Sequence, residues 1–295
     1  MFNINEKFWE IVNRLLDIDF DQGWDDFSLA ENDLYTLNIG GRGEGLFLGY
    51  YSVKGLELIF NKYHIFEKIR KKGYGNPRIL LDTSDPYKHR LRVVNEEGKK
   101  PLPVLIDLIV RSETVCIDLP YKSPQNGKKY ETLAIEWLQM QDVCGQFSTR
   151  RPRLPGQDHP GLGIGSEALE LLVIAARRVG LQGIVNIPNH FHNAYFYSRI
   201  FHYENPREQA KLKAILRDLG KMPLYKLAWA MEEGAVLDAV SNKPFEWFTG
   251  RQVFPLISGW SGMYRSRPYK KAVENYMKDY KFKLDDNWTF KEENR

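Results

Sequence analysis

Two kinds of hydrophobic pattern alternate along this chain, and together they predict an α/β fold. Apolar residues recur at helical spacing in residues 6–17 and again in residues 54–72. Short runs rich in branched residues follow at 78–81, 90–94 and 104–110, as in β-strands. Because an Asn-Glu-Glu-Gly turn follows the second of these runs, the last two are expected to pair as an antiparallel hairpin.

The middle of the chain is organised around one long strand, one buried helix and one further strand. Residues 133–140 are mostly apolar on both faces, which is typical of a central strand. After a proline-stiffened loop at 142–160, residues 167–179 form a helix that is apolar almost all round. Residues 183–187 then predict another strand, so that strand, loop, helix and strand make a right-handed parallel crossover.

The remaining segments complete the predicted order of elements. A short strand is predicted at 46–51, and a turn at 241–244 predicts a hairpin within residues 236–257. Further helices are predicted at 189–201, 207–218, 222–233 and 269–280.

These elements indicate one α/β (α+β) domain with a mixed central sheet flanked by helices and with additions at both ends. Residues 1–45 are expected to form an N-terminal helical appendage that ends at a glycine-rich break. The core occupies residues 46–203, and residues 204–295 form a C-terminal helical extension with a hairpin. A chain of 295 residues is long enough for one compact unit of this kind.

Composition narrows the class of protein. No run approaches the roughly 20 apolar residues of a membrane span, and the first residues lack the order of a secretion signal. We therefore expect a cytoplasmic protein with no membrane partner. Cys116 and Cys144 lack metal-type spacing and are expected to be reduced thiols. The net charge of +4 fits an anionic ligand but is too small to indicate a nucleic-acid partner, so none is expected.

The strongest candidate site is the glycine-rich turn Pro160–Ser166, which leads directly into the helix predicted at 167–179. Alternate glycines allow backbone N–H groups to face an anion, and the helix adds its positive N-terminal end. A dinucleotide fingerprint needs a strand directly before the turn and an acidic residue after the next strand, and neither is present. A triphosphate loop needs Gly-Lys-Ser/Thr, which is also absent. The surrounding order of elements favours a pyrophosphate attached to pantetheine.

The order hairpin, long strand, glycine-rich loop, helix, strand and Asn…Ala…Tyr helix resembles the GNAT (Gcn5-related) N-acetyltransferase superfamily. The resemblance covers residues 46–203 and is strongest in residues 131–203. The family's loop consensus is Gln/Arg-x-x-Gly-x-Gly/Ala, and Gly163 and Gly165 supply its two glycines. Pro160 replaces the glutamine or arginine, which removes a side chain but keeps the backbone amides.

The resemblance implies that the chain binds acetyl-CoA or another acyl-CoA. The implied contacts to this cofactor come from the glycine-rich loop, the central strand and the start of the following helix. By residue, they are Gly161, Leu162, Gly163, Ile164, Gly165, Ser166, Leu138 and Asn189. No metal ligand is implied.

The same resemblance implies two catalytic residues. Glu136 lies on the central strand, where family members often carry the base that takes a proton from the amine. Tyr197 matches the tyrosine that protonates the leaving thiolate, although the count from Asn189 makes Tyr195 a competitor. The alternative for Glu136 is a strand carboxylate that faces solvent or an arginine. The alternative for either tyrosine is a packed aromatic.

The implied function is transfer of an acyl group, most simply acetyl, from coenzyme A to the amine of a small molecule or peptide. The alternative is a non-catalytic module that keeps the fold for binding or structure. A metal site built from His159, His190 and His192 is a third, weaker interpretation.

Acidic and basic residues near the loop are expected to have opposite effects on phosphate binding. Glu167 and Glu170 lie in the first helical turn, where they suit the helix dipole but oppose a bound phosphate. If the proline-rich loop folds back, its arginines would offset them; these are Arg150, Arg151 and Arg153.

Overall fold

The computed structural model describes residues 45–97 and 101–291. The helix predicted at 6–17 and most of the proposed appendage lie outside the described residues. The helices in the described part are α1 (Val53–Lys62), α2 (Ile65–Arg70), α3 (Gly165–Arg178), α4 (Phe191–Tyr197), α5 (Pro206–Leu219), α6 (Leu224–Glu232), α7 (Ser258–Arg265) and α8 (Arg267–Met277). The strands are β1 (Pro77–Asp85), β2 (Lys88–Asn95), β3 (Val104–Cys116), β4 (Lys129–Met140), β5 (Gly183–Asn186), β6 (His202–Tyr203), β7 (Val236–Asp238), β8 (Gln252–Pro255) and β9 (Phe282–Leu284).

Hydrogen bonding gives seven of the described strands the order β1-β2-β3-β4-β5-β8-β6, and β7 pairs with β9 in a second, small sheet. The predicted α/β class, a central sheet flanked by helices, is therefore confirmed. Internal contacts divide the chain into two units. The first unit holds the described residues up to Glu113, with Leu133–Val143 and Gly161–Leu181; the second holds Thr114–Thr132, Cys144–Pro160 and the chain from Gln182. The boundaries predicted near residues 46 and 203 follow a different division and stay predictions.

In the first unit, β1, β2 and β3 form an antiparallel meander, and the predicted hairpin between β2 and β3 is confirmed. Its register pairs Leu91 with Leu108 and Val93 with Ile106, which places these apolar side chains on one face. The helix predicted at 54–72 is two helices, because His64 adopts a left-handed conformation (φ 57°) that ends α1 and starts α2.

Strand β4 is longer than predicted, and its alternation of buried and exposed residues breaks near its end. Residues from Thr132 to Ile135 are buried, whereas Glu136 and Trp137 are both exposed. The strand predicted at 46–51 is instead a tight turn closed by a single bridge between Phe47 and Tyr51. Leu48 occupies the left-handed region there, which a continuous strand does not allow.

In the second unit, β8 pairs antiparallel with β5 and with β6. The hairpin predicted within 236–257 forms only around its turn: Leu237 bridges antiparallel to Pro244, whereas the ladder of β7 is with β9 and not with β8. The turn itself forms: Asp238 accepts hydrogen bonds from the backbone N–H groups of Val240 and Ser241, at 3.0 and 2.7 Å. Helix α7 was not predicted, since its two glycines weaken the helical signal.

The core of the second unit contains Trp260, which is fully buried and stacks on Tyr130 with ring centroids 4.3 Å apart. Gly183 begins β5 directly beside this indole: a Cβ atom there would lie 2.6 Å from Trp260 Cζ3. A side chain at position 183 would therefore have to displace a packed aromatic ring.

None of the helices in the described residues is both long enough and apolar enough to cross a bilayer.

We expect Gly183→Ala to lower the free energy of unfolding by about 2 kcal/mol, as overpacking of a filled core does. Chemical denaturation followed by tryptophan fluorescence measures this. Gly262→Ala is the matched control, since a Cβ atom at this position of α7 meets nothing within 4 Å. Alanine should there stabilise the helix by up to about 1 kcal/mol. Equal stability of the two variants would contradict the proposed packing constraint.

Candidate functional site

The glycine-rich turn returns along the end of β4 and holds its glycines at the surface. The backbone N–H of Leu162 donates to the carbonyl oxygen of Met140 at 3.2 Å, and Gly161 bridges to Gln141. Leu162 and Ile164 are buried, whereas the three glycines are exposed. Because apolar side chains anchor every second residue, the intervening backbone faces outward.

Several backbone N–H groups of this turn are free to bind a ligand. Those of Gly163, Gly165 and Ser166 make no hydrogen bond to any residue that the structure describes. Gly163 has φ of 76°, a conformation that glycine adopts without strain. Helix α3 begins at Gly165, so these donors lie at the positive end of a helix dipole. This arrangement suits a phosphate group.

The acidic first turn of α3 is neutralised from within the first unit. Glu167 is only 5% exposed, and its carboxylate accepts hydrogen bonds from Lys68 and, at 3.0 Å, from the Ser166 hydroxyl. Burial acts to raise the pKa of Glu167, but these bonds and one from its own backbone hold it below the ordinary value. Ser166, expected to contact the cofactor through its hydroxyl, therefore directs that hydroxyl to Glu167.

A second lysine, Lys72, lies just after α2 and pairs with Asp142, at the start of the loop that leads from β4 to the glycine-rich turn. Lys72 Nζ lies 2.6 Å from Asp142 Oδ2, and the Tyr74 hydroxyl donates to Asp142 Oδ1 at 2.8 Å. Lys68 and Lys72 were not identified from the sequence. Their acidic partners lie 99 and 70 residues further along the chain, beyond the reach of any local pattern.

Strand β4 carries two of the residues expected in the site. Leu138 is partly buried and lines an apolar pocket with Ile164. Glu136 is held by two cations: its carboxylate lies 2.6 Å from Lys88 Nζ and 2.6 Å from Arg111 Nε. The bond from Lys88 is the largest reason that the pKa of Glu136 is lowered, and Arg111 adds to it. A lowered pKa weakens a proton acceptor, and the role of base stays a prediction.

The tyrosine candidates lie on α4 in the second unit. The Tyr197 ring packs edge-on against Phe201, 5.5 Å between centroids, and burial raises the pKa of its hydroxyl. Tyr195 stacks on Phe191 and lies under the Arg199 guanidinium, 5.9 Å from its carbon. The phenol of Tyr197 is thus protonated at neutral pH, and its raised pKa makes it a weaker acid than an exposed phenol.

Asn189 is exposed just before α4, followed by the two histidines of the weaker interpretation. The rings of His190 and His192 stack with centroids 5.3 Å apart, and His190 Nδ1 lies 3.2 Å from Glu232. Burial lowers the pKa of His192 to about 3, so its imidazole is neutral at pH 7. Within the described ranges, no group of three or more His, Cys, Asp or Glu residues could hold a metal ion.

The arginines of the proline-rich loop belong to the second unit. The Arg153 guanidinium donates to the carbonyl of Gln157 at 2.8 Å, inside its own loop. The Trp229 indole in turn donates to the Arg153 carbonyl at 3.0 Å. Arg150 and Arg151 are exposed. Their expected contribution to phosphate binding stays a prediction.

Comparison with known proteins gives matches among solved structures alone. No family model and no curated protein sequence matches the chain. A KacTA–DNA complex matches at 11% identity, covering 74% of this chain and 84% of that one, with a TM-score of 0.27. AtaT complexed with acetyl-methionyl-tRNAfMet matches at 16% identity, covering 55% and 82%, with a TM-score of 0.27. AtaTR bound with AcCoA matches at 16% identity, covering 54% and 81%, with a TM-score of 0.26.

TM-scores this low do not establish a shared fold, so the fold of this chain rests on its own strand order and register. One expectation is corrected. Two of the matched structures contain DNA or a tRNA, and we therefore withdraw the expectation that the protein has no nucleic-acid partner.

We expect Lys68→Met to lower the free energy of unfolding by about 3 kcal/mol, because it leaves the buried Glu167 carboxylate without its cation. Thermal or chemical denaturation at pH 7 measures this. Lys71→Met is the control, since its ion pair with Glu67 is exposed and should contribute little.

The pH dependence provides a second readout of the same pair. Because the pKa of Glu167 is lowered on folding, its contribution is present above the ordinary value of 4.5 and is lost as the pH falls through the lowered pKa. Glu167→Gln should therefore flatten the loss of stability on the acid side. An unchanged acid limb would show that the carboxylate carries no such linkage.

Proposed function

We propose that this protein is an N-acyltransferase that transfers an acyl group from acyl-CoA, most simply acetyl-CoA, to an amine. The observation that carries the proposal is the set of free backbone N–H groups at Gly163, Gly165 and Ser166, held outward at the start of α3. Such donors have no internal acceptor at the start of a helix, and a pyrophosphate could accept hydrogen bonds from them. They are the residues that would hold the acyl donor.

The partly buried Lys68–Glu167 pair neutralises the acidic residue closest to this anion site. An unpaired carboxylate in the first turn of α3 would repel a pyrophosphate. Lys68 removes that repulsion while it leaves the backbone N–H groups of the turn free. The last residues of β4 lie next to the same turn through the bond from Leu162 to Met140. We therefore place the pantetheine arm along the end of β4, at Leu138.

The donor supplies a thioester, whose carbonyl carbon is attacked by the amine nitrogen. The new bond is C–N and the bond that breaks is C–S; the nitrogen loses a proton and the sulfur gains one. We assign the proton on sulfur to the Tyr197 hydroxyl, because it matches the family tyrosine that the sequence indicates and is protonated at neutral pH. The acceptor is an amine, and amines attached to nucleic acid belong among those to be tested.

A non-catalytic binding module is the second candidate. The ion pairs of Glu136 favour it, because they hold the expected base in its weakly basic, ionised form. This candidate shares the cofactor site with the enzyme and differs from it only in turnover.

We expect Gly163→Ala to weaken acetyl-CoA binding about tenfold. A Cβ atom at a left-handed position costs about 1 to 2 kcal/mol, which the turn would relieve by moving its N–H groups. Isothermal titration calorimetry measures the affinity. Gly180→Ala is the matched control, since Gly180 has φ of 79° at the opposite end of the same helix. The Gly180→Ala variant should be less stable than the wild-type protein but should bind acetyl-CoA with unchanged affinity. An equal loss of affinity in the two variants would reject the site.

We expect Tyr197→Phe to lower turnover by about a hundredfold or more, as loss of a positioned proton donor does, and to leave the affinity for acetyl-CoA unchanged. Release of coenzyme A is followed with small-molecule amines, peptides and aminoacyl-tRNA as acceptors. Tyr195→Phe is the control and tests the competing assignment. Turnover that is absent from the wild-type protein with every acceptor, together with normal acetyl-CoA binding, would favour the non-catalytic module.

A further inference from the structure

The first unit contains an apolar pocket that the acetyl-transfer proposal does not use. Its cavity volume is about 80 Å³, and it lies, partly open to solvent, between α3, α1 and the face of the sheet. Of the lining side chains that the structure describes, all are apolar except Tyr51, Tyr63 and Arg178. A pocket with this lining favours a hydrocarbon over any polar ligand.

The pocket follows α3 along its whole length. Ile164, Ala168, Leu171, Ala175 and Arg178 all line it, and their spacing of three or four residues places them on one side of the helix. From the first to the last is fourteen residues, or about 21 Å at 1.5 Å per residue. The lining is therefore long and one-sided, as an extended chain requires.

One end of this pocket coincides with the proposed donor site. Ile164 lies between Gly163 and Gly165, whose N–H groups are free, and Leu138 precedes Met140, which anchors the turn. At the other end, Arg178 lies beside Tyr51, so the apolar lining ends at polar groups.

We propose that this pocket takes the hydrocarbon chain of an acyl-CoA longer than acetyl-CoA, with its thioester near Leu138 and its methyl end toward Arg178. This inference rests on the proposed function, because it needs coenzyme A at the glycine-rich turn. An acetyl group would reach only the mouth of the pocket. A longer chain would remove the apolar surfaces of α1, α3 and β4 from water together with its own.

The test is calorimetric titration of the full chain with coenzyme A, acetyl-CoA, octanoyl-CoA, dodecanoyl-CoA and palmitoyl-CoA, each kept below its micelle concentration. We expect affinity to increase with chain length, by up to about fourfold for each buried methylene, until the pocket is full. Affinity that is the same for acetyl-CoA and all longer donors would overturn the inference and leave the proposed function standing. Failure of coenzyme A itself to bind would instead remove the proposed function.

Two substitutions on α3 measure how far the acyl chain extends along the pocket. Ala168 and Ala175 both line the pocket and lie two helical turns apart, about 10 Å along the axis. Ala168→Phe, near the donor end, should abolish the gain in affinity for all three longer donors. Ala175→Phe should abolish only the additional gain of the longest donors and leave that of octanoyl-CoA.

Coenzyme A without an acyl chain is the internal reference, because neither phenylalanine should change its affinity. If a phenylalanine variant does not fold by circular dichroism, Ala168→Leu and Ala175→Leu replace the pair with smaller side chains. Identical chain-length profiles for the two positions, or profiles equal to that of the wild-type protein, would show that the acyl chain lies elsewhere.

Discussion

The return of the glycine-rich turn onto the end of β4 is the constraint on which the candidate site depends. The bond from Leu162 to Met140 and the burial of Leu162 and Ile164 fix the direction of the backbone on entry to α3. Since side chains at alternate positions point inward, the N–H groups of Gly163 and Gly165 are left without internal partners. Burial of the apolar side chains thus leaves backbone N–H groups available to bind an anion, and the turn needs no charged side chain of its own for this.

The charge balance at this site comes from tertiary contacts. A carboxylate in the first turn of a helix stabilises the helix dipole but competes with an anionic ligand for the same positive end. Lys68 resolves the competition, because it pairs with Glu167 while the N–H groups of the turn remain available. Lys72, just after α2, pairs with Asp142 at the start of the loop between β4 and α3. Because Lys68 pairs with Glu167 just after the end of that loop, the segment around the end of α2 contacts both ends of the loop. Removal of either lysine would act on fold and site together.

Local sequence patterns correctly predicted the elements whose formation depends on residues close together in the sequence. The β2–β3 hairpin and helix α3 were correct in type, because branched runs and an apolar helical stripe carry their own signal. The hairpin within 236–257 was correct only around its turn, since the strand that forms a ladder with β7 lies more than 40 residues away and only tertiary pairing selects it. The pairing of Lys68 with Glu167 has the same origin. The expectation about nucleic acid was based on net charge, which averages over the whole chain and does not report how charge is arranged on the surface.

The protonation states of the candidate groups limit how the proposed reaction moves its protons. Lys88 and Arg111 lower the pKa of Glu136, so its carboxylate is ionised and weakly basic at neutral pH. His192 has a pKa of about 3 and does not accept a proton in this range either. Tyr197, with its raised pKa, retains a proton that it can give. None of these groups is therefore suited to deprotonate an amine, and the acceptor would have to enter in its uncharged form or lose its proton to water.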